Sequence, residues 1–149
     1  AGRATGQAGD IPAGLAQLVE ASLAFPADLS VWTALAEYCA LYQIELNTYG
    51  LTAAPEALRL APQDPAARSA MGAVLFSLGD LESAARYFQQ VLDAQPEDTG
   101  ALYRLGLIAA QQDRLDDARW YFSRVLELAP AYAELHTLAA RSLEALGGS

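Results

Sequence analysis

The sequence predicts an all-α fold, an α-solenoid of about three antiparallel helical hairpins flanked by single helices, on three observations. Pro26, Pro62, Pro96 and Pro130 stand 36, 34 and 34 residues apart. Between them the apolar residues follow the helical period, not the strand period. Residues 79–88 and 113–122 match at this spacing, with Leu81 and Leu115, Ala84 and Ala118, and the pairs Tyr87-Phe88 and Tyr121-Phe122 in register. Val91-Leu92 recur as Val125-Leu126, and Gly72 recurs as Gly106.

The elements follow in order. Residues 1–10 are rich in Gly and Ala without an apolar period, which predicts a flexible lead-in. A first helix is expected over about Ile11 to Ala24, resembling the second helix of a hairpin without its partner. Each proline then closes a helix, and an acid two residues on (Asp28, Asp64, Asp98) opens the next by accepting from free N–H groups. Pro65 suits a first helical turn, where its missing N–H leaves no bond unmade. Met71, Leu75 and Leu78 form one stripe, and Leu81, Ala84, Phe88, Val91 and Leu92 a second, with Gly79-Asp80 as the turn between them. Leu102, Leu105, Ile108 and Ala109, then Leu115, Ala118, Phe122 and Val125, repeat the arrangement around Asp113. Two helices joined by so short a turn pack antiparallel.

The period ending at Pro62 holds two extra residues between Leu41 and Ala54, and Pro55 falls where its second helix should be in mid-course. A late or kinked helix is expected there, with residues 47–50 reshaped. The last helix, about Ala133 to Leu146, reads as a capping helix with Glu134, Arg141 and Glu144 on its polar side. Residues 147–149 are a flexible tail.

Composition excludes several classes. Hydrophobic residues at 53% are too many for a disordered chain, and no apolar run approaches the ~18 residues of a membrane span, so no membrane insertion is expected. The net charge is −9 and all nine basic residues are Arg, scattered from Arg3 to Arg141. Nucleic-acid binding needs a basic face, so none is expected. Cys39 is the only cysteine and His136 the only histidine, so neither a disulfide nor a Ser-His-Asp set elsewhere can form, and both residues read as packing residues. The acid pairs Asp80/Glu82, Glu97/Asp98 and Asp116/Asp117 lie at turns or helix starts, where they offset the helix dipole. The chain reads as no enzyme, with no metal and no cofactor. The compartment stays open, with cytoplasmic slightly favoured and exported or periplasmic as the alternatives.

Trp32-x2-Leu35-Ala36-x2-Cys39, then Met71-Gly72 with Ala84-x3-Phe88 and Pro96, then Leu102-x2-Leu105-Gly106 with Ala118-x3-Phe122 and Pro130, resemble the motif of the tetratricopeptide repeat family. The resemblance covers about Ile11 to Leu146. It implies small residues where paired helices cross (Gly72, Gly106, Ala84, Ala118) and Phe88 and Phe122 filling the gap between hairpins. It also implies a non-catalytic adaptor or scaffold that binds a peptide or protein segment in a concave groove lined by the first helices. By spacing, the groove residues are Thr33 and Glu37, then Ser69, Ala73 and Phe76, then Tyr103, Arg104, Leu107 and Gln111, with Arg141 on the last helix. Tyr103 and Phe76 stand out as anchors above small neighbours. Some family members hold a C-terminal carboxylate in a clamp of Lys, Asn and Arg. The matching slots here, Thr33, Glu37, Ala66, Ser69 and Ala70, do not supply one. The alternatives are a self-assembling structural repeat protein, hence a homo-oligomer, or a regulatory domain excised from a larger enzyme.

Overall fold

A computed structural model describes residues 7–147, with side chains from Pro12 onward. Among the described residues there are eight α-helices and no strand: α1 (Gln7–Ala24), α2 (Leu29–Tyr42), α3 (Leu51–Leu60), α4 (Pro65–Leu78), α5 (Leu81–Ala94), α6 (Thr99–Gln111), α7 (Leu115–Leu128) and α8 (Glu134–Ala145). A single π-helical turn, Leu46–Gly50, precedes α3.

The loops between hairpins are built alike. Asp28, Asp64 and Asp98 each cap a helix: their carboxylates accept from the N–H of Ser30 at 3.0 Å, Ala66 at 2.7 Å and Ala101 at 3.0 Å. Each Asp also donates its own N–H to the carbonyl three residues back, Phe25, Ala61 or Gln95, at 3.1 Å. The prolines sit inside this turn, where no helical N–H is required of them. The fourth such loop departs from the pattern. Tyr132 holds the acid's slot, and α8 starts from Ala133 without a side-chain cap.

The first helices also end alike. Gln43, Gly79 and Asp113 occupy the left-handed region, with φ of 57°, 91° and 64°. In each case the next N–H (Ile44, Asp80, Arg114) reaches the carbonyl five residues back, at 3.1, 2.9 and 2.8 Å. This is a Schellman-type closure, and glycine fills its left-handed slot only once in three.

The chain divides into two compact units, one through Asp80 and the other from Leu81. In the first, α2 packs on α1, α3, α4 and the π turn. Its core is Trp32, Leu35, Ala36, Cys39 and Ala40 from α2, Ala53, Ala54 and Ala57 from α3, and Ala67, Ala70, Ala73 and Val74 from α4. So many alanines let helix axes approach closely. The Trp32 indole N–H donates to the Pro26 carbonyl at 2.9 Å, fastening α2 to the loop before it. The two extra residues are taken up by the π turn. Leu46 and Tyr49 pack against this core and Gly50 is buried in it. α3 therefore starts late, at Leu51, and keeps Pro55 inside a helix of only ten residues.

In the second unit α5 packs on α6, α6 on α7 and α7 on α8. The core includes Leu102, Ala109, Ala118, Phe122, Val125 and Ala139. Gly106 is small because it must be: a Cβ there would lie 2.5 Å from Phe122 Cε1. Phe122 thus fills the crossing of α6 and α7, in a cluster that also takes in Ala139 of α8.

α1 begins at Gln7, ahead of the expected Ile11, and runs through Pro12 with the loss of one helical bond. The rest of the expected lead-in, residues 1–6, lies outside the described residues. So does the tail beyond Gly147, whose φ is 68°.

Candidate functional site

The first-helix faces hold the residues that spacing selects for binding. In the first unit, Thr33 and Glu37 stand one turn apart on α2. Thr33 is half-buried and donates its hydroxyl to the Ser30 carbonyl at 3.1 Å, while Glu37 is exposed. On α4, Ser69 and Phe76 are half-buried, whereas Ala73 is buried in the core beside Ala70 and Val74. Ala73 therefore supports the wall from behind. Ser77, one position past Phe76, accepts from Gln43 Nε2 at 3.0 Å and donates to the Ala40 carbonyl at 3.1 Å. It ties the ends of α2 and α4 together.

In the second unit, α6 presents Tyr103, Arg104, Leu107 and Gln111 at helical spacing on one side. The half-buried Tyr103 ring leans on Phe122, with centroids 5.7 Å apart and planes at 52°. The Arg104 guanidinium lies 5.8 Å from the centroid of the Phe88 ring. Leu107 is half-buried against the core, and Gln111 is exposed. On α8, Arg141 is exposed. The Tyr103 ring thus packs on Phe122 while staying half-buried.

Among the described residues no group of three His, Cys, Asp or Glu is placed to hold a metal. Cys39 is buried, and that burial pushes its thiol up from the ordinary value, away from the reactive thiolate. His136 is half-buried on α8. Asp116 and Asp117, in the first turn of α7, pair with Arg119 at 3.1 Å and Arg114 at 3.3 Å. No described helix is long and apolar enough to cross a membrane.

One surface that the sequence reading passed over lies on the first unit. A concavity of about 400 Å³ is lined by Pro12, Leu15, Val19, Glu20 and Leu23 of α1 and by Tyr49 of the π turn. Its signal was present in the sequence, in the apolar residues that α1 carries where other second helices are polar.

Residues 69–133 match the family model described as tetratricopeptide repeat. Over this stretch the chain carries tetratricopeptide repeats. Comparison with curated proteins gives no match in sequence. Among solved structures, the repeats resemble PilW, a widely conserved type IV pilus biogenesis factor, with a TM-score of 0.76 at 20% identity, covering 95% of this chain and 65% of that one. A thermophilic tetratricopeptide protein of Thermus thermophilus gives 0.75 at 23% identity, over 93% and 75%. PilF of Pseudomonas aeruginosa gives 0.67 at 19% identity, over 96% and 71%. At these identities the likeness is one of fold, an all-α solenoid of helical hairpins. The tetratricopeptide fold is that of a protein-interaction repeat module, and its members are generally non-catalytic adaptors.

Proposed function

We propose that the chain is an adaptor that seats a peptide or protein segment of a partner on the faces of its first helices. The observation that carries this reading is Tyr103. It is a large half-buried aromatic on α6 whose ring packs against Phe122, with Arg104 next to it, Leu107 one turn along and Gln111 about two turns along. A ring already packed on one side loses little freedom on binding, so its contact area goes into affinity. In the first unit, Phe76 with Thr33, Glu37 and Ser69 supplies the corresponding aromatic and polar groups. Arg141 on α8 supplies a further cation.

The test is to identify a partner by affinity capture and then to measure its affinity for Tyr103→Ala, Phe76→Ala and Arg104→Glu variants that retain their helical circular dichroism. A loss of about tenfold or more for the variant of the occupied face is expected. Unchanged affinity in all three overturns the reading.

A further inference from the structure

We propose that the outer face of α1 is a second docking surface, distinct from the first-helix faces, and that it takes an amphipathic helix of a partner protein carrying apolar side chains and an adjacent Arg or Lys. The argument starts from an internal comparison. Pro12, Ala16, Val19 and Leu23 stand 14, 10, 7 and 3 residues before the loop proline Pro26. The same slots before Pro96 are Glu82, Arg86, Gln89 and Asp93, and before Pro130 they are Asp116, Trp120, Ser123 and Glu127. These slots face solvent: all eight residues of α5 and α7 are exposed. Before Pro62 they hold Thr48, Thr52, Pro55 and Arg59, also exposed. Only α1 makes all four apolar, and of these Pro12, Ala16 and Leu23 are exposed while Val19 is half-buried against the core.

The geometry agrees. These residues and Leu15 border the concavity of about 400 Å³ closed on one side by Tyr49, a size within the ~300–1,000 Å³ of ligand clefts. Leu23 is 76% exposed at its rim, and Phe25 follows at 60%. A grooved apolar surface at helical spacing suits the apolar stripe of another helix.

Charge selects the occupant. Glu20 is exposed at the groove, and no described cation pairs with it. α1 has no basic residue, so the negative end of its dipole is also uncompensated. A second copy of the chain fits poorly. It would bring net charge −9 against −9, and neither α1 would offer a basic residue to the Glu20 of the other. A basic amphipathic helix relieves both the carboxylate and the helix end.

The probes are a fluorescent peptide of Leu and Lys at helical spacing and its Leu and Glu counterpart, titrated onto the whole chain by anisotropy. Saturable binding of the Lys peptide, about tenfold or more tighter than the Glu peptide, is expected. Leu23→Glu should abolish it, Glu20→Arg should erase the preference, and Tyr103→Ala and Glu127→Gln should leave it intact. Because Leu23 is exposed, its variant retains the fold, and circular dichroism checks this. Amide shifts induced by the Lys peptide should centre on residues 15–23 and Tyr49. Absence of saturation, indifference to Leu23→Glu, or shifts elsewhere overturns the proposal. So does a dimer by light scattering that Leu23→Glu dissolves, which would make the occupant a second copy.

Discussion

Phe122 occupies the space that a side chain on Gly106 would need: its Cε1 lies 2.5 Å, and its Cδ1 2.8 Å, from where a Cβ would stand. The ring is buried and also supports Tyr103, so it has little room to retreat. Gly106→Ala should destabilise the chain by ~1–3 kcal/mol in a denaturant melt, and Gly106→Leu by more. Combining Gly106→Ala with Phe122→Leu should cost less than the two changes summed, since the smaller side chain yields the contested space.

Gly50 gives the opposite expectation. It is buried too, but its φ is −62° and a Cβ there would meet Val74 Cγ1 at 3.5 Å and Cys39 Cβ at 3.6 Å, ordinary contact distances. Gly50→Ala should therefore raise stability by ~0.5–1 kcal/mol, read as a shift in denaturant midpoint without a change in slope.

The left-handed closures of the first helices should respond differently to glycine. Asp113 has φ of 64° and puts a negative charge at a helix C-terminus. Asp113→Gly should stabilise by roughly 0.5–1 kcal/mol. Gln43→Gly relieves the same backbone strain but removes the amide that donates to Ser77 and to the Ala40 carbonyl. It should be neutral or destabilising by ~1 kcal/mol in the same melt.

The uncapped helix can be repaired. Ala133 sits at the N-cap of α8 with extended backbone (φ −75°, ψ 145°), close to that of Asp64 (φ −75°, ψ 126°), which does cap. Ala133→Asp should add ~0.5–2 kcal/mol and slow amide exchange in the first turn of α8.

Acid should weaken the fold through two identified groups. The Ser30 hydroxyl, and then its backbone N–H, hold Asp28 below the ordinary aspartate range. Hydrogen bonding from Arg59 does the same for Glu56. A carboxylate depressed in the folded state stabilises fully above its unfolded value, and this is lost as pH falls through the folded value. The loss therefore opens below about pH 4. Asp28→Asn still caps the helix, so the variant should show a flatter decline of stability below that pH, measured by urea melts across the range.

Much of this was legible because local chemistry and tertiary packing agree. The period of the prolines, the capping by Asp28, Asp64 and Asp98, and the small residue at Gly106 each follow from one residue's requirements. Burial that depends on a distant helix was not legible. Spacing placed Ala73 on the groove face, yet packing on α2 and α3 encloses it. Gly9 and Pro12 weaken the helical pattern, yet α1 runs through both. The outer face of α1 went unread because its character shows only against the same slots in the other second helices.

The π turn reverses the usual view of a length anomaly. Its surplus residues are not slack, since Leu46, Tyr49 and Gly50 close the interior between α2, α3 and α4. Trimming the chain there to restore a uniform repeat, as consensus engineering would advise, would remove a plug and open a void. Irregularity in count is, at this joint, the means by which the interior stays filled.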